Sequence, residues 1–327
     1  MRTAAPGQPI MEAPVRRRLA TCLLVAAASL AADSAATPAE PIKLSGAVSW
    51  PGAGASLSLE GGSGFLLSLE GLIPQAVIGP ATVRHAFQVV HVSSSATVGR
   101  LEVRGLNADV TNSCIRGHAD VVVVTDTHCT MTGPPQVGRV NMPFGLQITA
   151  AKSVAIRNSS FQGFEWRGPS DRYWIGEGVT IERGVAGVQF VDVTSNGNTD
   201  AGFDVKPFAI MSNVSASDNC RNFRFWSGAD IGTLTTGDTI RRGGTTSCSG
   251  IWLSGAATGP RPRLHIRKLI VRMTRPGVVI EVESGPAAIQ IDRCDIKAPA
   301  GTAMVRFDKE RGELMLGPGC DLAGSVG

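Results

Sequence analysis

Gly202-Phe-Asp-Val-Lys206 is the first of three short stretches that decide the fold; the others are Asn222-Phe-Arg-Phe-Trp226 and Gly250-Ile-Trp-Leu-Ser254. Each begins with Gly or Asn and continues as a strand in which apolar and polar side chains alternate. Four more stretches of this type begin at Gly145, Gly178, Gly277 and Gly301, and the seven follow one another at intervals of 20 to 33 residues. Short strands that recur in this way are typical of a solenoid, whose units stack on one another.

A second type of strand lies between these stretches, as in Val188–Val193, Ala209–Val214, Leu264–Val271 and Ile289–Ile296. Two or three short strands in each unit of ~20–30 residues describe one coil of a parallel β-helix. A β-propeller needs larger blades of four strands, and no stretch has the 3.6-residue apolar period of a helix. The sequence therefore predicts an all-β chain that folds as a single-domain right-handed parallel β-helix, a solenoid.

The composition excludes several classes of protein. The chain of 327 residues has 39 Gly, and only 18% of its residues are charged. Coiled coils and helical bundles need far more Glu, Lys and Arg, so these folds are excluded. The net charge of +4 is small for this length and provides no basic stripe, so we expect no nucleic-acid partner.

The N-terminus has the pattern of an export signal. Arg16-Arg17-Arg18 precedes the apolar run Leu19–Leu30, which is followed by small residues up to Ala36. The run is too short to cross ~30 Å of hydrocarbon, so we expect a cleaved signal and no membrane anchor; a frayed N-terminal helix is the alternative. We predict a signal peptide at 1–35, N-terminal coils and a cap at 36–100, and the β-helix core at 101–327 of a secreted or periplasmic monomer.

Six cysteines remain after removal of the signal, an even number that permits disulfides in an exported chain. Cys220 and Cys248 each lie two residues before the start of a repeated strand, so they occupy equivalent positions on adjacent coils. Adjacent strands are ~4.8 Å apart, within the Cα separation that a disulfide accepts. We predict the pair Cys220–Cys248 first, and then Cys114–Cys129 and Cys294–Cys320; the alternative is that these cysteines are simply small buried residues.

Alternation along the repeated strands places two columns of side chains on one outward face. One column is predicted to be Gln147, Thr180, Asp204, Arg224 and Trp252, and the other Thr149, Glu182, Lys206, Trp226 and Ser254. A Trp ring offers a flat apolar surface to a sugar, and cations bind uronate carboxylates. We therefore expect an acidic polysaccharide as partner, bound by Trp226, Trp252, Trp174, Arg172 and Glu182. The alternative is that a loop covers the two Trp rings and that the ions form a solvated network.

Oxygen-bearing side chains are concentrated in residues 195–206. Asp200, Asp204 and Asn198 have the hard oxygen donors that Ca²⁺ prefers, and they are the candidate metal ligands. Lys206 and Arg224 are the candidate catalytic residues, with Lys206 as the base. The alternatives are a turn stabilised by Asn and Asp side chains and simple surface ion pairs.

Asp200-Ala-Gly-Phe-Asp204 resembles the Asp-Asp-Gly-Phe-Asp segment of the family-nine pectate lyases, in the pectin-lyase-like superfamily of right-handed β-helices. The resemblance implies calcium-dependent β-elimination of a uronate polysaccharide, in which a Lys without a carboxylate partner abstracts the C5 proton. Asp200 and Asp204 match the first and last acids of the segment. Ala201 replaces the central Asp, and the base of the family lies further along the chain than Lys206.

Two rival functions remain open. A polygalacturonase-like glycoside hydrolase would share Asn198-Thr-Asp200, but its Asp-Asp and Gly-His-Gly motifs do not occur in this sequence. A noncatalytic glycan-binding or structural β-helix would need no catalytic motif. The first expectation is an exported polysaccharide lyase that cleaves an acidic polysaccharide with the help of calcium.

Overall fold

The computed structural model describes residues 41–50, 55–58, 64–137, 142–169, 172–243, 247–254, 261–283, 285–307 and 312–320, with the side chains of 55–58 excepted. The predicted signal peptide at 1–35 lies outside these residues. All of the described residues belong to one compact unit, Ala36–Gly327.

The described residues form 25 β-strands and no helix. The strands are β1 (Ile42–Leu44), β2 (Val48–Trp50), β3 (Ala55–Ser58), β4 (Phe65–Leu69), β5 (Leu72–Ile78), β6 (Ala81–Val92), β7 (Thr97–Arg104), β8 (Leu106–His118), β9 (Val121–Thr125), β10 (His128–Met131), β11 (Gln136–Val137), β12 (Phe144–Gln162), β13 (Trp166–Arg167), β14 (Glu177–Asn196), β15 (Ala201–Val205), β16 (Ala209–Ser217), β17 (Arg221–Phe225), β18 (Gly228–Thr236), β19 (Ser249–Ser254), β20 (Arg263–Arg272), β21 (Val278–Glu283), β22 (Ala288–Ile291), β23 (Cys294–Lys297), β24 (Ala303–Phe307) and β25 (Glu313–Leu316).

Twenty-three of these strands form one long parallel sheet, and β11 and β13 form a separate parallel pair. Each strand pairs with strands one repeat before and after it. Phe203 pairs with Phe223, 20 residues further on, and Leu146 pairs with Val179, 33 residues further on. The chain thus returns to the same line at the predicted intervals, an arrangement compatible with a solenoid, and the all-β prediction is confirmed. The parallel pairing continues without a break across residue 100.

The core lies on the inner side of the repeated strands. Phe203, Phe223 and Phe225 are fully buried, as the alternation predicts. The Phe203 and Phe223 rings stack with their centroids 5.0 Å apart, and the Phe190 ring contacts Phe203 edge to face. Each such side chain contributes roughly 1.5–3 kcal/mol through burial, and this stabilisation holds the outward residues of the same strands in register.

The first outward column has the predicted register. Gln147 pairs with Thr180, Thr180 with Asp204, Asp204 with Arg224, and Arg224 with Trp252. The series also continues beyond both predicted ends. We call it the polar column, and its members from β6 to β24 are His91, Arg116, Gln147, Thr180, Asp204, Arg224, Trp252, Glu281 and Arg306.

All three predicted disulfides are present. Cys220 is bonded to Cys248, Cys114 to Cys129 and Cys294 to Cys320, with Cα–Cα distances of 4.5, 6.2 and 4.8 Å. The register explains the first pair, because Arg221 pairs with Ser249 and so places the preceding cysteines side by side. Three disulfides indicate an oxidising, extracellular type of environment. Among the described residues there is no helix long and apolar enough to cross a membrane.

Candidate functional site

An open cleft of about 760 Å³ lies over the centre of the polar column. Its lining brings together Glu177, Glu182, Asp204, Lys206, Arg224 and Trp226, and we call it the acidic cleft. Asp204 and Arg224 reach it because they alternate with the buried Phe203, Phe223 and Phe225. Stacking of parallel strands therefore gathers side chains that are far apart in the sequence.

Arg224 is the centre of this cluster. Its Nη1 atom lies 3.3 Å from Asp200 Oδ2, 3.8 Å from Asp204 Oδ2 and 3.9 Å from Glu177 Oε1. The guanidinium also lies over the ring of Trp226, 4.7 Å from its centroid. Burial alone would lower the pKa of Arg224, but the carboxylate of Asp204 and its neighbours outweigh burial and raise it. Arg224 is therefore a permanent cation that three carboxyl groups share.

Glu177 and Asp204 are both buried, and the pKa of each is raised. Burial raises the pKa of Glu177 well above its usual value, and the charges of Asp204 and Asp200 raise it further. Burial also raises the pKa of Asp204, but Arg224 and a 2.7 Å hydrogen bond from Trp226 Nε1 oppose this effect. Because neighbouring carboxyl groups cannot all ionise at low cost, one proton is favoured on Glu177 while Asp204 is the better stabilised anion.

Asp200 is enclosed and does not line the acidic cleft. Its carboxylate accepts hydrogen bonds from the Tyr173 hydroxyl and from Nη1 of Arg221 and of Arg224. Burial and the Asp200 charge raise the pKa of Tyr173, so the phenol remains a donor. Asp200 therefore orients Tyr173 and the two arginines from beneath the cleft.

Lys206 faces the acidic cleft, with two carboxylate partners. Its Nζ atom forms an ion pair with Glu182 and lies 3.9 Å from Asp204 Oδ2. A base must first lose its proton, and a neutral Lys206 would leave these carboxylates without their counter-charge. The environment therefore suits Lys206 for binding an anion better than for abstracting a proton, and the same holds for Arg224.

The three predicted calcium ligands do not converge. Asn198 is fully buried in the interior, where its Oδ1 accepts from the Phe164 amide and its Nδ2 donates to Asn219 Oδ1 at 2.8 Å. Asp200 and Asp204 instead bind guanidinium and indole donors. Ca²⁺ takes six to eight oxygen ligands, and this donor set does not fit it. Within the described residues, no group of three or more His, Cys, Asp or Glu side chains is arranged to hold a metal ion.

The predicted sugar-binding residues separate into two groups. Trp226 and Glu182 line the acidic cleft, whereas Trp252, Trp174 and Arg172 do not. Trp252 is only 4% exposed, so the expectation of an exposed platform is wrong for this ring. The guanidinium groups of Arg221 and Arg224 lie over the Trp252 ring, each 5.2 Å from its centroid, and its Nε1 donates to Glu283. Trp174 packs against Trp166 instead and donates to the carbonyl of Pro169.

The sequence analysis missed Glu177, Arg221 and the role of Tyr173. Glu177 and Arg221 each lie one position before the Gly or Asn that begins a repeated strand, so simple alternation did not place them on the outward face. A signal was nevertheless present, because a charged residue precedes both Gly178 and Asn222 in an otherwise apolar repeat. Asp171, in the loop that was expected to form a wall of the groove, lies outside the described residues.

We compared the chain with protein-family models, with curated proteins and with solved structures, and none of them matches it. The resemblance of residues 200–204 to family-nine pectate lyases therefore stays a prediction. The interpretation of the site rests on its own geometry and electrostatics.

Proposed function

We propose that this chain is an exported, single-domain right-handed parallel β-helix that hydrolyses glycosidic bonds of an acidic polysaccharide in the acidic cleft. One observation carries the proposal. Glu177 and Asp204 are two carboxyl groups with raised pKa values that line one open cleft and share one guanidinium. Paired carboxyl groups of unequal proton affinity are the usual equipment of a glycoside hydrolase.

The two carboxyl groups have different roles in this proposal. Glu177, protonated at neutral pH, donates its proton to the oxygen of the leaving sugar. Asp204, held ionised by Arg224 and the Trp226 indole, acts on the opposite side of the bond as base or nucleophile. After bond cleavage the proton from Glu177 stays on the new hydroxyl group, and water supplies the hydroxyl that completes the sugar.

The same cleft has groups that fit an anionic sugar. Arg183 is exposed at the cleft, with its guanidinium 5.5 Å from the centroid of the Trp226 ring. A uronate carboxylate bound by Arg183 or Lys206 would place its ring against the partly exposed Trp226. An acidic polysaccharide is therefore the substrate class that the lining favours.

β-Elimination by a polysaccharide lyase, the reaction that the resemblance implies, is the second candidate. The observation that favours it is the concentration of cations in the cleft, because they would neutralise a uronate carboxylate and acidify the C5 proton. The carboxylate partners of Lys206 and Arg224 favour hydrolysis, since neither side chain is placed to be a neutral base. Calcium assistance stays a prediction, and the mechanism proposed here draws on no metal.

One experiment separates these candidates. The purified protein is incubated with polygalacturonate and with alginate, each with added Ca²⁺ or with a chelator. New reducing ends and the ultraviolet absorbance of unsaturated uronate are then measured. Hydrolysis produces reducing ends without the absorbance, and elimination produces both. Polymer that is retained by the protein without either product would support a noncatalytic glycan-binding module and contradict the hydrolase.

A further inference from the structure

A second cleft, of about 380 Å³, lies further along the polar column. It shares Gln147 and Thr149 with the acidic cleft, so the two are parts of one continuous groove. Its charged and titratable lining residues are His91, Arg116 and His118, and we call it the basic cleft. The described residues that line it include no Asp or Glu.

Arg116 is the permanent cation of the basic cleft. Its Nε donates to Gln147 Oε1 at 2.9 Å, and its guanidinium lies over the Phe144 ring, 5.0 Å from the centroid. Among the described residues it forms no ion pair. Burial lowers the pKa of Arg116, which means that the charge loses hydration without a carboxylate to compensate. An anion bound in the cleft would restore that compensation.

The two histidines add to this positive surface. The His91 imidazole stacks on the Phe65 ring at a centroid distance of 4.0 Å, and His118 Nε2 lies 2.9 Å from the carbonyl oxygen of Ala96. Burial and the Arg116 charge lower the pKa of His91, while Glu70 opposes this effect. An anion beside Arg116 would favour the charged form of His91 as well.

The register gives the distance between the two clefts. His91, Arg116, Gln147, Thr180 and Asp204 are consecutive members of the polar column. Four steps of ~4.8 Å separate His91 from Asp204, or about 19 Å. One sugar cannot contact both ends of this distance, but an extended polysaccharide lying in the groove can.

We propose that the basic cleft binds a second anionic group, a carboxylate or a sulfate, of the polysaccharide whose bond is cleaved in the acidic cleft. Arg116 contacts this group directly, and Gln88 and the two histidines line the same space. The inference rests on the proposed function for the identity of the polymer. The binding step can nevertheless be measured without any cleavage.

The test compares Arg116→Gln with Arg84→Gln, which removes one positive charge from an exposed residue that lines neither cleft. Both substitutions are made in a Glu177→Gln background so that the polymer remains intact. Binding of polygalacturonate, dextran sulfate and neutral dextran is measured by affinity electrophoresis. We expect Arg116→Gln to weaken binding of an anionic polymer by about 10-fold or more, which corresponds to one charged hydrogen-bonded contact. A loss with only one of the two polyanions identifies the anion as carboxylate or sulfate.

Neutral dextran should be unaffected, and a disaccharide uronate that fills only the acidic cleft should also bind equally well. Arg116→Lys keeps the charge and should retain part of the affinity, which separates lost binding from lost folding. Equal effects of Arg84→Gln and Arg116→Gln, or an equal loss with the disaccharide, would overturn the inference. Arg116-dependent binding without cleavage by the unsubstituted protein would instead overturn the hydrolase and leave the anion site standing.

Discussion

Arg116 and Arg224 occupy the same column on the same face, four strands apart, but their surroundings are opposite. Arg224 has three carboxyl groups within 3.9 Å of one nitrogen, and its pKa is raised. Arg116 has an amide and a phenyl ring as neighbours, and its pKa is lowered. The comparison teaches that a repeated backbone can present one residue type either as part of a completed ion network or as a charge available to a ligand.

The largest expected effect breaks this comparison at Arg224. Arg224→Gln leaves Glu177, Asp200 and Asp204 buried beside one another without their shared cation. We expect a loss of about 3–5 kcal/mol in the free energy of unfolding, measured by urea denaturation. Arg116→Gln is the matched control and should leave stability unchanged or raise it. Equal destabilisation by the two substitutions would show that the proposed difference in compensation is wrong.

The next effect concerns catalysis in the acidic cleft. Glu177→Gln keeps the size of the side chain but removes its transferable proton, so the rate of reducing-end release should fall by about 10²–10⁴-fold. Glu165→Gln provides the control, because Glu165 pairs with Arg242 and does not line the cleft. Unchanged rates in Glu177→Gln would remove this residue from the mechanism.

The same substitution has a smaller effect on stability, with a predictable sign. The pKa of Glu177 is higher in the folded chain than in the unfolded chain. Its contribution to stability is therefore complete at low pH and is lost as the pH rises through the folded-state pKa. Glu177→Gln does not titrate, so its melting temperature relative to the unsubstituted protein should increase from pH 4.5 to pH 8. A difference that shrinks over this range would contradict the raised pKa.

The smallest expected effect sharpens the description of the basic cleft. The pKa of His91 is lowered, so the imidazole gains its charge only below the usual range of histidine. Arg116 and His118 oppose this protonation, and Glu70 favours it. Binding of dextran sulfate, whose charge is constant in this range, should become a few-fold tighter between pH 7 and pH 5. His91→Gln should reduce that increase, and an identical pH profile would exclude His91 from the site.

Part of the site was accessible from the sequence because register follows from periodicity. The alternation around Phe203, Phe223 and Phe225 placed Asp204, Arg224 and Trp252 in one column, and equal offsets from the repeat paired Cys220 with Cys248. These predictions depend only on a period of two within strands and on the stacking of one strand on the next.

Other features depended on how turns direct side chains. Asn198 and Asp200 are two residues apart, but one bonds within the interior and the other lies beneath the acidic cleft. Trp252 satisfies the alternation and is still covered, because two arginines from the preceding strand lie over its ring. Tyr173 rather than Trp174 reaches the polar column. No local pattern contains this information, since it arises from contacts between segments that are 20 to 50 residues apart.

The sequence by itself therefore determined the repeat, the all-β class, the partners across the disulfides and the order of side chains along the polar column. Each of these follows from short-range spacing, which a strand converts directly into position. Only the tertiary structure decided which of the aligned charges are compensated. Compensation is a matter of a few ångströms between side chains and of how much water they lose, and both depend on the turns and on the segment carrying Tyr173 that covers one part of the face and not the other.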